Sequence, residues 1–300
     1  MGKLVGAVAL FVVVIALSVA VLVSAALGGA STPSTSPGVH GSDRTPALPT
    51  AWVTLAQSAA ATCPGLPWPV LAAIGTVESD NGRSSAPGVA SGANSAGAEG
   101  PMQFEPATFA AYATAGPGGA VPPDPYDTVD AVYTAATMLC ADGGGSASGL
   151  RDAVFAYNHD RTYVDTVLTL SLAFGDDPTA DGTVVGALTF AAGQLGTPYL
   201  WGGTGPGGFD CSGLSQAAYA HVGLALPRVA QDQFGVGPEL ADGDALRPGD
   251  LVFFGTEATG VDHVGIYVGT GLMIDAPHTG ALVRVESAGW PGLVGATRPG

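Results

Sequence analysis

The chain has 300 residues, of which 9 are Lys or Arg and 25 are Asp or Glu, giving a formal charge of −16. That balance excludes a nucleic-acid partner, because a phosphate-binding surface needs clustered cations, and the only lysine is Lys3. Beyond that exclusion the acidity serves solubility and nominates no partner, while the length suits two domains, each able to bury its own core.

In chain order, residues 4–27 come first and contain no charge, Pro, Asn or Gln. A helical rise of about 1.5 Å per residue makes this stretch long enough to span a bilayer. Lys3 sits at its front, so the positive-inside bias sends the rest of the chain out of the cytoplasm. The apolar run is longer than the core of an ordinary signal peptide, which favours a retained anchor over residues 1–30. The small residues 28–30 keep a cleavage site open as the alternative. Residues 31–50 are rich in Ser, Thr and Pro and read as an extended spacer.

Residues 51–174 read as a mainly helical domain, with helices expected at 52–62, 69–79, 106–114, 128–141 and 150–158. In the second of these, Leu71, Ile74 and Glu78 share a face at helical spacing. A carboxyl on an apolar face is desolvated and keeps its proton, the state a general acid requires. The competing reading is a surface residue at the helix end, and periodicity alone does not separate the two.

Three cysteines, Cys63, Cys140 and Cys211, make an odd count. Outside the cell the simplest partition is one bridge and one free thiol. Cys63 and Cys140 fall in the helical domain, and a bridge between them would contribute about 4 kcal/mol in the chain-entropy account.

Residues 175–183 break the helical pattern and read as a linker. The remainder, 184–300, has helical stretches at 184–195 and 211–221, then strand-like runs at 250–254, 263–268, 272–274 and 282–286. Helices followed by strands indicate an α+β domain. A Gly-rich turn delivers Asp210 and Cys211 to the start of the second helix. There the positive end of the helix dipole and unpaired backbone N–H groups favour the reactive thiolate. His263 opens an apolar strand and is the candidate base, and Asp275, one hairpin later, is the candidate orienting acceptor. His278 competes for the last role from a loop. No C-x-x-C or close His pair marks a metal site, and no metal or organic cofactor is indicated.

Residues 184–298 resemble the NlpC/P60 cysteine peptidases through PYLWGG, DCSGL, LPR, RPGDLVFF and HVGIYVG in order. The resemblance implies a papain-like α+β fold with Cys211 as nucleophile and His263 as base. It also implies Tyr199 beside the oxyanion site, and Asp210 and Ser212 in substrate binding. The third catalytic position, often His in that family, is Asp275 here. The implied reaction is hydrolysis of peptidoglycan stem peptides, commonly at the D-γ-glutamyl–diamino acid bond.

Residues 51–174 in turn resemble the lysozyme-like soluble lytic transglycosylases through VLAAIGTVES, SAGAEGPMQFEPATF and AVFAYNHDRTYVDTVL. That resemblance implies Glu78 as acid/base, with Gln103, Tyr157 and Asn158 in a glycan cleft. Asn94 stands where the family usually has Ser, and a Gly/Ser/Ala-rich insertion precedes it. A glycosidase with two carboxylates would need a partner for Glu78. Asp80 is too close in sequence to face it, and Glu99 and Glu105 are the other candidates. The expectation is therefore an exported, two-domain peptidoglycan-degrading enzyme. Hydrolytic muramidase action, or a non-catalytic wall-binding role for the first domain, are the alternatives. The resemblance to proteins of this two-domain design also implies conjugation or secretion machinery as a candidate partner.

Overall fold

The protein is represented by a computed structural model that describes residues 47–241, 244–256, 258 and 260–300. The expected membrane segment and most of the spacer lie outside these residues. Among the described residues no helix is long and apolar enough to cross a membrane.

Among the described residues the first half has six helices: α1 (Thr50–Ala60), α2 (Trp68–Ser79), α3 (Pro106–Tyr112), α4 (Thr128–Ala141), α5 (Leu150–Tyr157) and α6 (Arg161–Asp176). Proline in the first turn starts α2 and α3, where its missing N–H costs nothing. Asp127 caps α4 by accepting from the Val129 and Asp130 N–H groups. The centre of the bundle is α2, buried from Pro69 through Gly75 and packed against α1, α4 and α6. A disulfide joins Cys63, just after α1, to Cys140 near the end of α4. It closes a separation of 77 residues across this bundle.

The sequence reading contains no helix at α6, although this is the longest helix among the described residues. Its Thr and Val content is a poor helix former in isolation, so tertiary burial of Val164, Val167, Leu170 and Phe174 has to hold it. The helix takes Gly175 and Asp176 out of the expected linker, and α7 takes Gly182 and Thr183.

The second half has α7 (Gly182–Ala192), α8 (Cys211–His221) and α9 (Ala230–Phe234), then β1 (Leu251–Thr256), β2 (Gly260–Gly269), β3 (Leu272–Asp275), β4 (Arg284–Ser287) and β5 (Leu293–Thr297). The strands form an antiparallel sheet in the order β4-β3-β2-β1-β5. One face, with Leu251, Phe253, Val264, Ile266 and Ile274, joins the main core. The other, with Val252, Phe254, Tyr267 and Met273, packs on Ala288, Ala296 and Trp290. Because both faces are covered, β1 and β2 read as nearly continuous apolar runs rather than an alternation. The strand β5 and the short α9 are absent from the sequence reading.

The main core continues from α2 and α6 through α7 and α8 to the sheet. Helix α6 packs on both α7 and β2, so residues from 47 onward form one compact unit. Only residues 177–181 separate the helices of the two halves.

Candidate active sites

Cys211 is the first residue of α8 and the only free cysteine among the described residues. Asp210 caps the helix, accepting from the Gly213 N–H at 2.7 Å and from the Gly202 N–H at 2.9 Å. Arg228 grips the same carboxylate with both guanidinium nitrogens, at 3.0 and 2.6 Å, and also donates to Ser212 Oγ at 3.1 Å. The glycine turn is required by close approach: a Cβ on Gly213 would lie 2.0 Å from the Gly203 carbonyl oxygen. Asp210 and Ser212, expected to meet substrate, are tied here to Arg228, and Asp210 also to the start of α8. Tyr199 lies partly exposed beside them. Burial, then the charges of Cys211 and Asp210, push its hydroxyl pKa up, so it remains a proton donor.

The β2–β3 hairpin carries the candidate base, His263, and Asp275. Ile266 pairs with Ile274 across it, which sets Asp275 diagonally from His263 on one sheet face. Gly265 lies between them without a side chain, and a Cβ there would meet Met273 Sδ at 2.4 Å. His263 Nε2 and Asp275 Oδ2 are 2.8 Å apart, with Asp275 fully buried. Nδ1 is thus the ring nitrogen left for Cys211, which lies within hydrogen-bonding reach of the imidazole. Burial pushes the His263 pKa down, but hydrogen bonds to Asp275 and Cys211 and their charges outweigh it and hold the pKa at about 9. At neutral pH the ring therefore carries its proton. Trp290 stacks on the imidazole, with centroids 5.2 Å apart at 23°, and Phe254 flanks both rings. His278 is exposed, and its Nδ1 faces the Thr279 carbonyl oxygen at 3.0 Å. The cluster contains Asp275 and not His278.

A second cluster gathers around Glu78 near the C-terminal end of α2. Leu71 and Ile74 are fully buried on the same helix, and Glu78 is half-buried. Its carboxyl is enclosed enough for burial to raise the pKa to about 7, against a smaller opposing effect of a hydrogen bond with Tyr163. Tyr157 and Tyr163 have stacked rings 6.5 Å apart. Both hydroxyl pKa values are held well above normal by burial and then by the Glu78 charge. Tyr157 donates to the Met102 carbonyl oxygen at 2.7 Å. The neighbouring Gln103 receives Asn94 Nδ2–H at 2.9 Å and donates to the Gly100 carbonyl at 2.8 Å. Asn158 follows Tyr157 as the cap of α5, half-buried. Asp80 forms an ion pair with Arg83 at 2.5 Å, turned away as its sequence distance from Glu78 requires. Glu99 acts on Tyr126, and Glu105 precedes α3 as its capping position.

Sequence reasoning assigns no role to Arg228, Trp290 or Tyr163. Arg228 had a signal, being one of 9 cations in the whole chain. Trp290 and Tyr163 reach their sites through long-range packing that no local pattern encodes. Among the described residues, no group of three or more His, Cys, Asp or Glu is arranged to hold a metal ion.

Residues 196–291 match the NlpC/P60 family. The probable endopeptidase p60 of Listeria innocua is 44% identical over 98 residues, covering 32% of this chain and 21% of its own. CwlT of Bacillus subtilis, described as a bifunctional muramidase/DL-endopeptidase, is 49% identical over 88 residues, 28% of this chain and 26% of its own. The P60 domain of a Mycobacterium avium subspecies paratuberculosis antigen is 34% identical, covering 39% of this chain and 93% of that one, with a TM-score of 0.36. The match spans about a fifth to a quarter of the length of these curated relatives.

Proposed function

We propose, from the premise that residues 196–291 form a domain of the NlpC/P60 family, that the chain is an endopeptidase acting on peptidoglycan stem peptides. The observation that carries this reading is Cys211 at a helix start beside a protonated, Asp275-bound His263. In the forward step the Cys211 sulfur adds to the carbonyl carbon of the scissile bond, and oxygen takes up the negative charge. The helix N-terminus and the Tyr199 hydroxyl border that oxygen. Collapse breaks the C–N bond while His263 gives its proton to the leaving amine, leaving a thioester on Cys211. Water then attacks as His263 takes a proton, releasing the new carboxylate and restoring the thiol. Asp275 holds the imidazole in the tautomer and orientation both steps need. The cleavage point we propose is the D-γ-glutamyl–diamino acid bond that the family resemblance implies.

For the first half we infer a glycan-cleaving activity, with Glu78 as general acid toward the β-1,4 bond after N-acetylmuramic acid. Its raised carboxyl pKa, flanked by two tyrosine hydroxyls, supports this role. We favour lytic transglycosylation over a two-carboxylate hydrolysis, as the resemblance of residues 51–174 implies. The muramidase named in the CwlT description keeps hydrolysis as the second reading. Residues 1–30, read as an anchor or export signal, would place both activities at the wall, held at the outer face of the cytoplasmic membrane or released. Mass analysis of fragments from purified peptidoglycan tests the whole reading. Anhydro-muramyl ends with free γ-glutamyl termini are expected, and reducing muramic ends would replace transglycosylation by hydrolysis. Absence of new peptide termini would remove the endopeptidase.

The choice of third residue has its own test. Asp275→Ala is expected to lower kcat for stem-peptide cleavage by roughly a hundredfold, by freeing the imidazole. His278→Ala should stay within about twofold, since its ring faces only a loop carbonyl. The reverse ranking in steady-state rates would make His278 the orienting group.

A further inference from the structure

Strands β3 and β4 bring a second carboxyl up to the one that orients His263. Their register pairs Asp275 with Arg284 and Met273 with Glu286, so Glu286 is the diagonal neighbour of Asp275 on the same face. Asp275 uses Oδ2 for His263, while its Oδ1 is buried with no donor. Glu286 uses Oε2 for the Arg284 guanidinium at 2.9 Å, while its Oε1 is likewise buried with no donor. The two side chains interact directly.

Two buried acceptors facing each other are costly unless a proton lies between them. Adjacent carboxyl groups resolve such a conflict by keeping one proton for the pair. Asp275 already accepts from the His263 N–H through Oδ2, so the proton of the pair belongs on Glu286. The groups facing Glu286 are Asp275 on β3 and Arg284 on its own strand, with His263 on β2 and Cys211 on α8 acting beyond Asp275. Tyr267 on β2 has its hydroxyl engaged with the Gly271 N–H. Arg284 favours ionisation of Glu286, but burial and then Asp275 oppose it and raise its pKa.

We propose that Glu286 is a positioning residue of the peptidase site: its carboxylic O–H donates to Asp275 Oδ1 and locks the Asp275 carboxylate plane against His263. The chain of contacts then runs Cys211–His263–Asp275–Glu286, with Arg284 holding Glu286 in reach through Oε2. The inference rests on the reading of Cys211 and His263 as a peptidase pair.

The test uses the full chain and the stem tetrapeptide L-Ala–D-γ-Glu–diaminopimelate–D-Ala. Glu286→Gln keeps an N–H donor for Asp275 and an oxygen for Arg284, and should hold kcat within about twofold of the parent. Glu286→Ala, and Glu286→Met with its comparable volume and no donor, should each lower kcat about tenfold with KM little changed. Equal loss in all three variants would mean that the negative charge, not the donated proton, matters, and would overturn the proposal. Parental kcat in the Ala and Met variants would overturn it as well. Cys211→Ala run in parallel separates the two levels: cleavage surviving there sinks the nucleophile reading itself. An inactive Cys211→Ala beside unaffected Glu286 variants sinks only the role of Glu286.

Discussion

Cys211→Ala is expected to abolish stem-peptide cleavage, with kcat/KM falling by at least ~10³-fold, while glycan cleavage by the same preparation continues unchanged. The size follows from the chemistry: without sulfur no thioester forms, and only binding and oxyanion contacts remain. Stability should change little, because the sulfur is half-buried and forms no disulfide, at a helix start whose cap is Asp210. The substitution also carries a signature on its partner. Cys211 is one of the groups holding the His263 pKa at about 9, so its removal lowers that pKa. In the parent protein the ring is protonated at neutral pH, and peptide cleavage falls only as pH rises through about 9, where the leaving amine loses its proton source. Steady-state rates on a defined stem peptide, with NMR titration of the His263 ring in both proteins, check both statements. A variant that still cleaves, or a ring that titrates unchanged, would show that sulfur and imidazole do not act together.

The peptidase cluster was legible from sequence because its parts are locally determined. Asp210 caps the helix that starts at Cys211, and Gly213 allows the turn to approach it closely, so a short motif carries position and chemistry together. His263 and Asp275 are twelve residues apart on a hairpin whose turn, Gly269 to Gly271, has positive φ at all three residues, a strong local signal. The parts that escaped depend on distant chain. Helix α6 is made by burial against α2 and β2, not by its own Thr- and Val-rich composition. Strand β5 is half-exposed at the sheet edge, with weak patterning. Trp290 reaches His263 from 27 positions away, and Glu286 meets Asp275 only once β4 has chosen its register. The contact between the two halves belongs with these: α6 packs on α7 and both contribute to one cluster, which no local pattern encodes.

Glu78→Gln should remove the glycan activity by about 10³-fold, the usual scale for losing a positioned general acid, and leave stem-peptide cleavage intact. Glutamine keeps the shape and a hydrogen bond for Tyr163 but has no proton to give the glycosidic oxygen. The carboxyl acts as an acid only while protonated, so glycan cleavage should decline as pH rises through about 7. Peptide cleavage persists to about 9, so a buffer near pH 8 lowers one activity about tenfold and largely spares the other. The same burial has a stability consequence of definite sign. A carboxyl whose folded pKa lies above its unfolded value of 4.5 loses stability as pH climbs from about 4.5 to about 7, because the unfolded chain releases the proton first. The cost above pH 7 is on the order of 3 kcal/mol. Glu78→Gln does not incur it, so the inactive variant should melt higher than the parent at pH 8 and close to it at pH 4.5. Equal melting temperatures at both pH values would place Glu78 in water, at the surface end of its helix, where a protonated acid at neutral pH has no physical basis.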